Sequence, residues 1–197
     1  MKNLFIAGIL LFGSVALSAQ AHLLFKIGGN FDYTEYRSEE DDAVKLDWLK
    51  YAGGHFGMSL DIELYEDIWA FSPDLQFLVR TTIGEEVSRL NADIQIPLTF
   101  TCYILPHFGV DLGPSLHYRV LDLFDNGDGL EKLDIGEEKL DFGLAGGVRF
   151  KLNDSVMLIG RYYLGLRKTW EGNFGTGTYG TFNRSAQISF LYSGQRY

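Results

Sequence analysis

Asp111, Ser115 and His117 are separated by even numbers of residues, so an extended chain turns all three side chains to one face. A carboxylate, a hydroxyl and an imidazole are the elements of an acyl-transfer or hydrolase centre. His55 takes the corresponding face of another segment. All four, however, fall on the polar side of alternating segments. The expectation is an inward hydrogen-bonded network rather than a reaction centre. Asp125-Asn126-Gly127-Asp128-Gly129-Leu130-Glu131 has the oxygen density of a calcium loop but lacks the D-x-D-x-D-G spacing, and reads as an acidic loop. The single Cys102 permits no internal disulfide and no cysteine-based zinc cage. It falls on an apolar face, as a small hydrophobe would. No catalytic, cofactor-binding or metal residue is assigned, and no cofactor is expected.

What positions these residues is a set of two-faced segments. In Asn91 to Ile104, Ala92, Ile94, Ile96, Leu98, Phe100, Cys102 and Ile104 share one face. Asn91, Asp93, Gln95, Thr99, Thr101 and Tyr103 share the other, with Pro97 the exception. Such alternation is a strand with one apolar and one polar side. Strands in soluble proteins run about 5–6 residues, whereas a tilted membrane-spanning strand needs about 9–11. The length therefore suggests that the apolar face meets lipid.

Seven further segments alternate in the same way: Leu23–Tyr33, His55–Leu64, Asp74–Ile83, Phe108–Val120, Lys139–Leu152, Val156–Lys168 and Phe182–Tyr192. The connections are sorted by length. Tyr65–Pro73, Leu105–His107 and Asn153–Ser155 alternate with the longer Thr34–Gly54, Leu121–Glu138 and Thr169–Thr181, Gly84–Leu90 being short. Outer-membrane barrels have short periplasmic turns and longer external loops. The apolar faces carry no Asp or Glu, and only Lys168 and Arg184 as cations. The polar faces carry Lys26, Arg80, Arg119, Lys139, Arg149, Lys151, Arg161 and Arg167 against Asp32, Asp61, Glu63, Asp74, Asp93, Asp111 and Asp141. Near balance is what an enclosed interior demands, because unpaired buried charge costs several kcal/mol. The acidic surplus sits in Glu35–Asp47 and Asp122–Glu138.

The chain has 197 residues, 23 glycines, four prolines, 29 aromatics when Phe, Tyr and Trp are taken together, and a net charge of −9. That composition favours an all-β domain. The negative charge argues against nucleic acid as a partner. Lys2, the apolar run Leu4–Leu17 and the small-x-small Ala19-Gln20-Ala21 read as a cleavable signal peptide over 1–21. The barrel domain then occupies 22–197. Trp48, Trp69 and Trp170, with Tyr36, Tyr51, Tyr65 and Tyr179, fall near strand ends, as interfacial aromatic girdles do.

Several runs carry a resemblance to a known family. They are Phe71-Ser72-Pro73-Asp74-Leu75-Gln76-Phe77-Leu78, Ala92-Asp93-Ile94-Gln95-Ile96-Pro97-Leu98 and Gly109-Val110-Asp111-Leu112-Gly113-Pro114. Phe142-Gly143-Leu144-Ala145-Gly146-Gly147-Val148, followed by Arg161-Tyr162-Tyr163-Leu164-Gly165-Leu166, completes the set. In order and spacing they resemble the PorT-like bacterial outer membrane β-barrel family across nearly the whole mature chain. The ends of the third strand (Arg80-Thr81-Thr82-Ile83-Gly84) and of the chain (Ser193-Gly194-Gln195-Arg196-Tyr197) depart from the family pattern. The resemblance implies fold and location, and accounts for Pro97 and Pro114 within strands. Its members include secretion-system components, so it implies no single activity.

The expected structure is an eight-stranded antiparallel up-and-down transmembrane β-barrel, with short periplasmic turns, longer extracellular loops and a filled lumen. The expected function is that of a non-enzymatic integral outer-membrane protein, a surface or envelope scaffold or a component of envelope assembly or secretion. Expected partners are outer membrane lipids and lipopolysaccharide, the barrel assembly machinery, and a protein meeting the external loops 34–54, 121–138 and 169–181. A soluble lipocalin-like barrel binding an apolar ligand is the alternative, with every strand turned inside out. A lipid-modifying barrel enzyme ranks third.

Overall fold

A computed structural model of the protein describes residues 21–38, 49–65, 68–82, 88–125, 130–132, 139–167, 170–174 and 177–194. Residues 1–20, Trp48, Ile83, Lys168 and much of both acidic stretches lie outside the described residues. The elements are β1 (Ala21–Ser38), β2 (Leu49–Tyr65), β3 (Trp69–Thr82), β4 (Ser88–Leu105), β5 (Phe108–Asp125), β6 (Leu130–Lys132), β7 (Leu140–Lys151), β8 (Val156–Gly165), β9 (Trp170–Phe174) and β10 (Gly177–Ser193). Each long strand pairs antiparallel with its neighbours in the order β1-β2-β3-β4-β5-β7-β8-β10, and β10 pairs back onto β1 from Leu24↔Ser193 to Ser38↔Tyr179. Closure leaves no unpaired edge along the wall, which is what lets a sheet sit in lipid. Eight strands thus form the barrel.

The two short strands differ from expectation. β6 pairs the outer end of β5, with Asp125↔Leu130 flanking the residues that read as an acidic loop. β9 pairs the outer end of β10 in the same way. The third strand starts at Trp69 rather than Asp74, so Pro73 lies inside the strand and not in a turn. Three short connections, from β2 to β3, β4 to β5 and β7 to β8, lie at one end. The turn from β7 to β8 is shaped by Asn153, whose Oδ1 accepts from the Ser155 and Val156 amides at 2.9 Å each. Such Asx turns replace the ladder where strands reverse.

Alternation decides which side faces where. On β4 the odd-numbered residues Asn91, Asp93, Gln95, Pro97, Thr99 and Thr101 are buried, while Phe100 and Ile104 are exposed. Ile27 and Ile188 are 66% and 63% exposed, yet Arg149 and Gln76 are fully buried. The polar side is therefore the inside, and the lipocalin-like alternative, which needs the reverse, is set aside. Ile62 departs from the expected pattern: alternation gives it the outward side, but it is buried. The lumen is not polar throughout. Leu24, Met157, Ile159 and Leu191 pack into an apolar cluster on β1, β8 and β10 near the short-turn end.

Inward-facing glycines let side chains reach over a strand. At Gly147 a Cβ would stand 2.3 Å from the Gly160 carbonyl and 3.0 Å from Asp111 Oδ1. The absence of that Cβ is what allows Asp111 on β5 to reach Arg161 on β8 across β7. At Gly28 the imidazole of His55 occupies the space a Cβ would need and reaches from β2 across β1 to Ser189 on β10, Nε2 to Oγ 2.8 Å. At Gly146, facing out, a Cβ would meet the Leu112 side chain at 3.2 Å and the Asp111 carbonyl at an ordinary contact distance of 3.5 Å. Gly147→Ala should therefore abolish most folding into the heat-sensitive compact form seen on unboiled gels. Gly146→Ala should fold as the unaltered protein does. Equal folding of the two would contradict the close-approach account.

Candidate functional site

The lumen holds the only dense constellation of reactive side-chain types among the described residues, and it is layered. In the lower ionic layer Lys26 Nζ donates to Asp74 Oδ2 at 3.0 Å, and Arg161 bridges Asp74 and Asp111, the latter at 2.7 Å. Arg149 donates to Asp111 at 3.0 Å and to Asp61 at 3.4 Å. Three cations thus meet three carboxylates, contributed by β1, β2, β3, β5, β7 and β8. Ser72 also donates to Asp61, and Thr99 Oγ1 lies within reach of both guanidinium groups.

Above this lies a layer of amides. Gln76 Nε2 donates to Gln95 Oε1 at 2.6 Å, and Gln187 Nε2 donates to the same oxygen at 2.8 Å. Gln95 in turn donates to Ser115 Oγ at 3.2 Å. The side chains of β3, β4 and β10 therefore meet across the bore.

The outer ionic layer is built around Asp93, whose carboxylate receives Arg80 at 2.5 Å and Arg119 at 3.2 Å. Arg80 also faces Asp32 at 3.4 Å and lies over the Tyr51 ring. Asp122 accepts from Arg89 Nε at 2.7 Å and lies 3.4 Å from Arg119. Asp141 accepts from Tyr163 and Asn183, both at 3.0 Å. Arg184 itself donates to the carbonyls of Gly165 and Asn183.

The residues singled out in the sequence are buried together but not assembled for chemistry. Asp111 is held by Arg149 and Arg161, and Ser115 accepts from Gln95. The nearest charge to His117 Nε2 is Asp93 Oδ2 at 3.4 Å, and neither ring nitrogen makes a hydrogen bond of good geometry. The sequence-level trio is therefore spread over three separate interactions. His55 pairs with Ser189, which the sequence did not connect to it. No group of three or more metal-ligating side chains comes together among the described residues. Cys102 is half-buried on the outward face.

Several charges stand elsewhere than expected. Glu63 is half-buried and faces His22 at 3.8 Å, and Arg167 is exposed, donating to the Leu140 carbonyl. Lys151 lies over the Tyr103 ring at 4.3 Å. Asp122, assigned to a loop from the sequence, is fully buried, because β5 runs on to Asp125 and a one-residue register shift between Arg119 and Leu121 turns it inward opposite Asn91. Of the expected girdle, Trp69 is exposed at the short-turn end, whereas Tyr51 is buried inside the lumen. The Trp170, Tyr36, Tyr65 and Tyr179 side chains lie outside the described residues. Tyr118, Tyr162 and Tyr192 are exposed instead, signalled in the sequence only by their parity within the strands.

Comparison with known proteins agrees with this architecture. A model of the outer membrane protein beta-barrel domain matches residues 6–192. Among solved structures, Neisserial surface protein A shares the fold, with 11% identity, a TM-score of 0.55, and coverage of 85% of this chain and 96% of that one. The Ail attachment invasion locus protein of Yersinia pestis is 12% identical at a TM-score of 0.40, covering 85% of this chain and 99% of that one. For OprG from Pseudomonas aeruginosa the values are 11%, 0.40, 89% and 96%. No curated protein matches the chain by sequence. The chain belongs to the outer membrane protein beta-barrel domain family and is a protein of the outer membrane.

Proposed function

We propose that this barrel is a non-enzymatic, sealed scaffold of the envelope that works through its extracellular ends, as a surface protein or as a component of envelope assembly or secretion. The carrying observation is the lumen itself, where ion pairs and amides from opposite walls meet across the bore. Side chains committed to one another in this way neither line an aqueous path nor stand ready to attack a substrate. What remains free to meet a partner is the long-loop end. Within the wider family, the runs around Pro73, Pro97 and Pro114 support a place in the PorT-like group. Residues 1–21 act on this reading as a cleaved signal, with the barrel over 22–197 inserted by the barrel assembly machinery among outer membrane lipids and lipopolysaccharide.

Shortening the stretches 39–48 and 126–138, which leaves the eight wall strands and Asp122 in place, tests the role of the external ends. The shortened barrel should still fold and reach the outer membrane, yet fail to complement loss of the gene. Full complementation would remove the external partner from the account. His117→Ala should leave the acyl composition of envelope lipids unchanged, and an altered pattern would restore the enzyme reading. Sealing should also be costly to disturb. Arg149→Met leaves Asp61 and Asp111 short of a partner, and removing one member of a buried pair costs about 3–5 kcal/mol. Urea unfolding in detergent should show a loss of that size, and adding Asp61→Asn and Asp111→Asn should recover much of it.

A further inference from the structure

Three prolines occupy one zone of the wall. Pro73 on β3 stands opposite Leu98 on β4, the adjacent Pro97 stands opposite Ser115 on β5, and Pro114 precedes Ser115. Proline has no amide hydrogen to give to a ladder, and pairing lapses beside each of the first two. It is interrupted between Ser59/Asp74 and Ile62/Phe71 across β2 and β3, and between Gln76/Gln95 and Pro73/Leu98 across β3 and β4. It is interrupted again between Pro97/Ser115 and Phe100/Leu112 across β4 and β5. Where the wall slackens, a groove of about 360 Å³ opens on the outer surface. Leu23, Met58, Leu60, Pro73, Leu75 and Ile96 bound it, and its floor reaches Ser59 and Asp74.

We propose that this groove holds one acyl chain of an inner-leaflet phospholipid as a bound lipid, distinct from the exchanging lipid around the barrel. The inference rests on the reading that places the short turns in the periplasm. The medium against the groove is hydrocarbon, because its neighbours on the same face, Phe25, Phe77 and Phe100, are exposed apolar side chains. Its depth selects the leaflet. Pro73 and Leu75 lie a few residues along β3 from the exposed Trp69 at the short-turn rim. At about 3.3 Å per residue along a strand tilted by about 40°, that is the periplasmic half of the bilayer. The floor explains why a resident chain matters. Asp74, paired with Lys26 at 3.0 Å, lies directly behind a wall whose hydrogen bonds are missing. A hydrocarbon chain seated there keeps water from entering the gap and competing for that pair.

The test is native mass spectrometry of the folded barrel, reconstituted with palmitoyl-oleoyl phosphatidylglycerol and lipid A and then stripped with detergent. The unaltered protein should retain a single phospholipid. Leu75→Trp, which fills the groove, should lose it. Leu112→Trp, on the lipid face of β5 away from the groove, should keep it. Unboiled gels report whether each variant is folded, and Ile96→Phe replaces Leu75→Trp if the latter is not. Retention of no lipid by the unaltered protein, or equal retention by the groove-filled variant, would overturn the proposal. Retention of lipid A in place of the phospholipid would overturn the leaflet assignment and with it the orientation.

Discussion

Hydrocarbon offers no hydrogen-bond partner, and every polar group this chain carries through the bilayer must therefore be satisfied by the chain itself. The backbone meets that demand by closing β1 onto β10. The side chains meet it by turning most charged groups of the wall inward and pairing most of those with an opposite charge. Lys26, Arg149 and Arg161 answer Asp61, Asp74 and Asp111 in one layer. In the other, Arg80, Arg89 and Arg119 answer Asp32, Asp93 and Asp122. Asp141 is held by the Tyr163 hydroxyl and the Asn183 amide, and Arg184 by the Gly165 and Asn183 carbonyls. The two layers are each close to electroneutral. The remaining acidic surplus falls in the sequence between β1 and β2 and between β5 and β7.

The same constraint explains the glycines and the closed bore. A cross-strand neighbour is the nearest partner a side chain can find, but a charge network that spans a barrel needs contacts two strands apart. Gly28 and Gly147 clear the way for His55 and Asp111 to make them. Buried ion pairs add little net stability over apolar packing, yet losing one partner is severe. The arrangement therefore confers specificity of register more than strength: a one-residue slip would put a carboxylate into lipid. The apolar cluster of Leu24, Met157, Ile159 and Leu191 completes the filling near the short-turn end. What remains is a wall with two decorated ends.

Much of this was legible in the residues because a strand in lipid holds to a period of two along most of its length, Ile62 and Asp122 being exceptions. In Asn91–Ile104 even Pro97 keeps the parity and faces inward. Asp93 and Gln95 stand inside as alternation requires. What stayed hidden depends on where strands end and which strands become neighbours. Asp122 looked like part of a loop because β5 continues beyond the apolar pattern, and Arg167 looked internal because parity persists past the point where the wall stops. His55 and Ser189 are 134 residues apart, and only closure of the first strand onto the last brings them together. Asp111, Ser115 and His117 share a face, as expected, but a shared face does not supply shared partners. Each meets a different neighbour on a nearby strand.

Sealing is the central property, because it separates a scaffold that acts through its ends from a channel or a ligand-binding barrel. Single-channel recording of the folded protein in planar bilayers tests it most directly. The account predicts that insertion produces no steady ion conductance across neutral pH and ordinary salt. A reproducible ohmic step from the unaltered barrel would show that the ionic and amide layers do not close the bore, and would contradict the account.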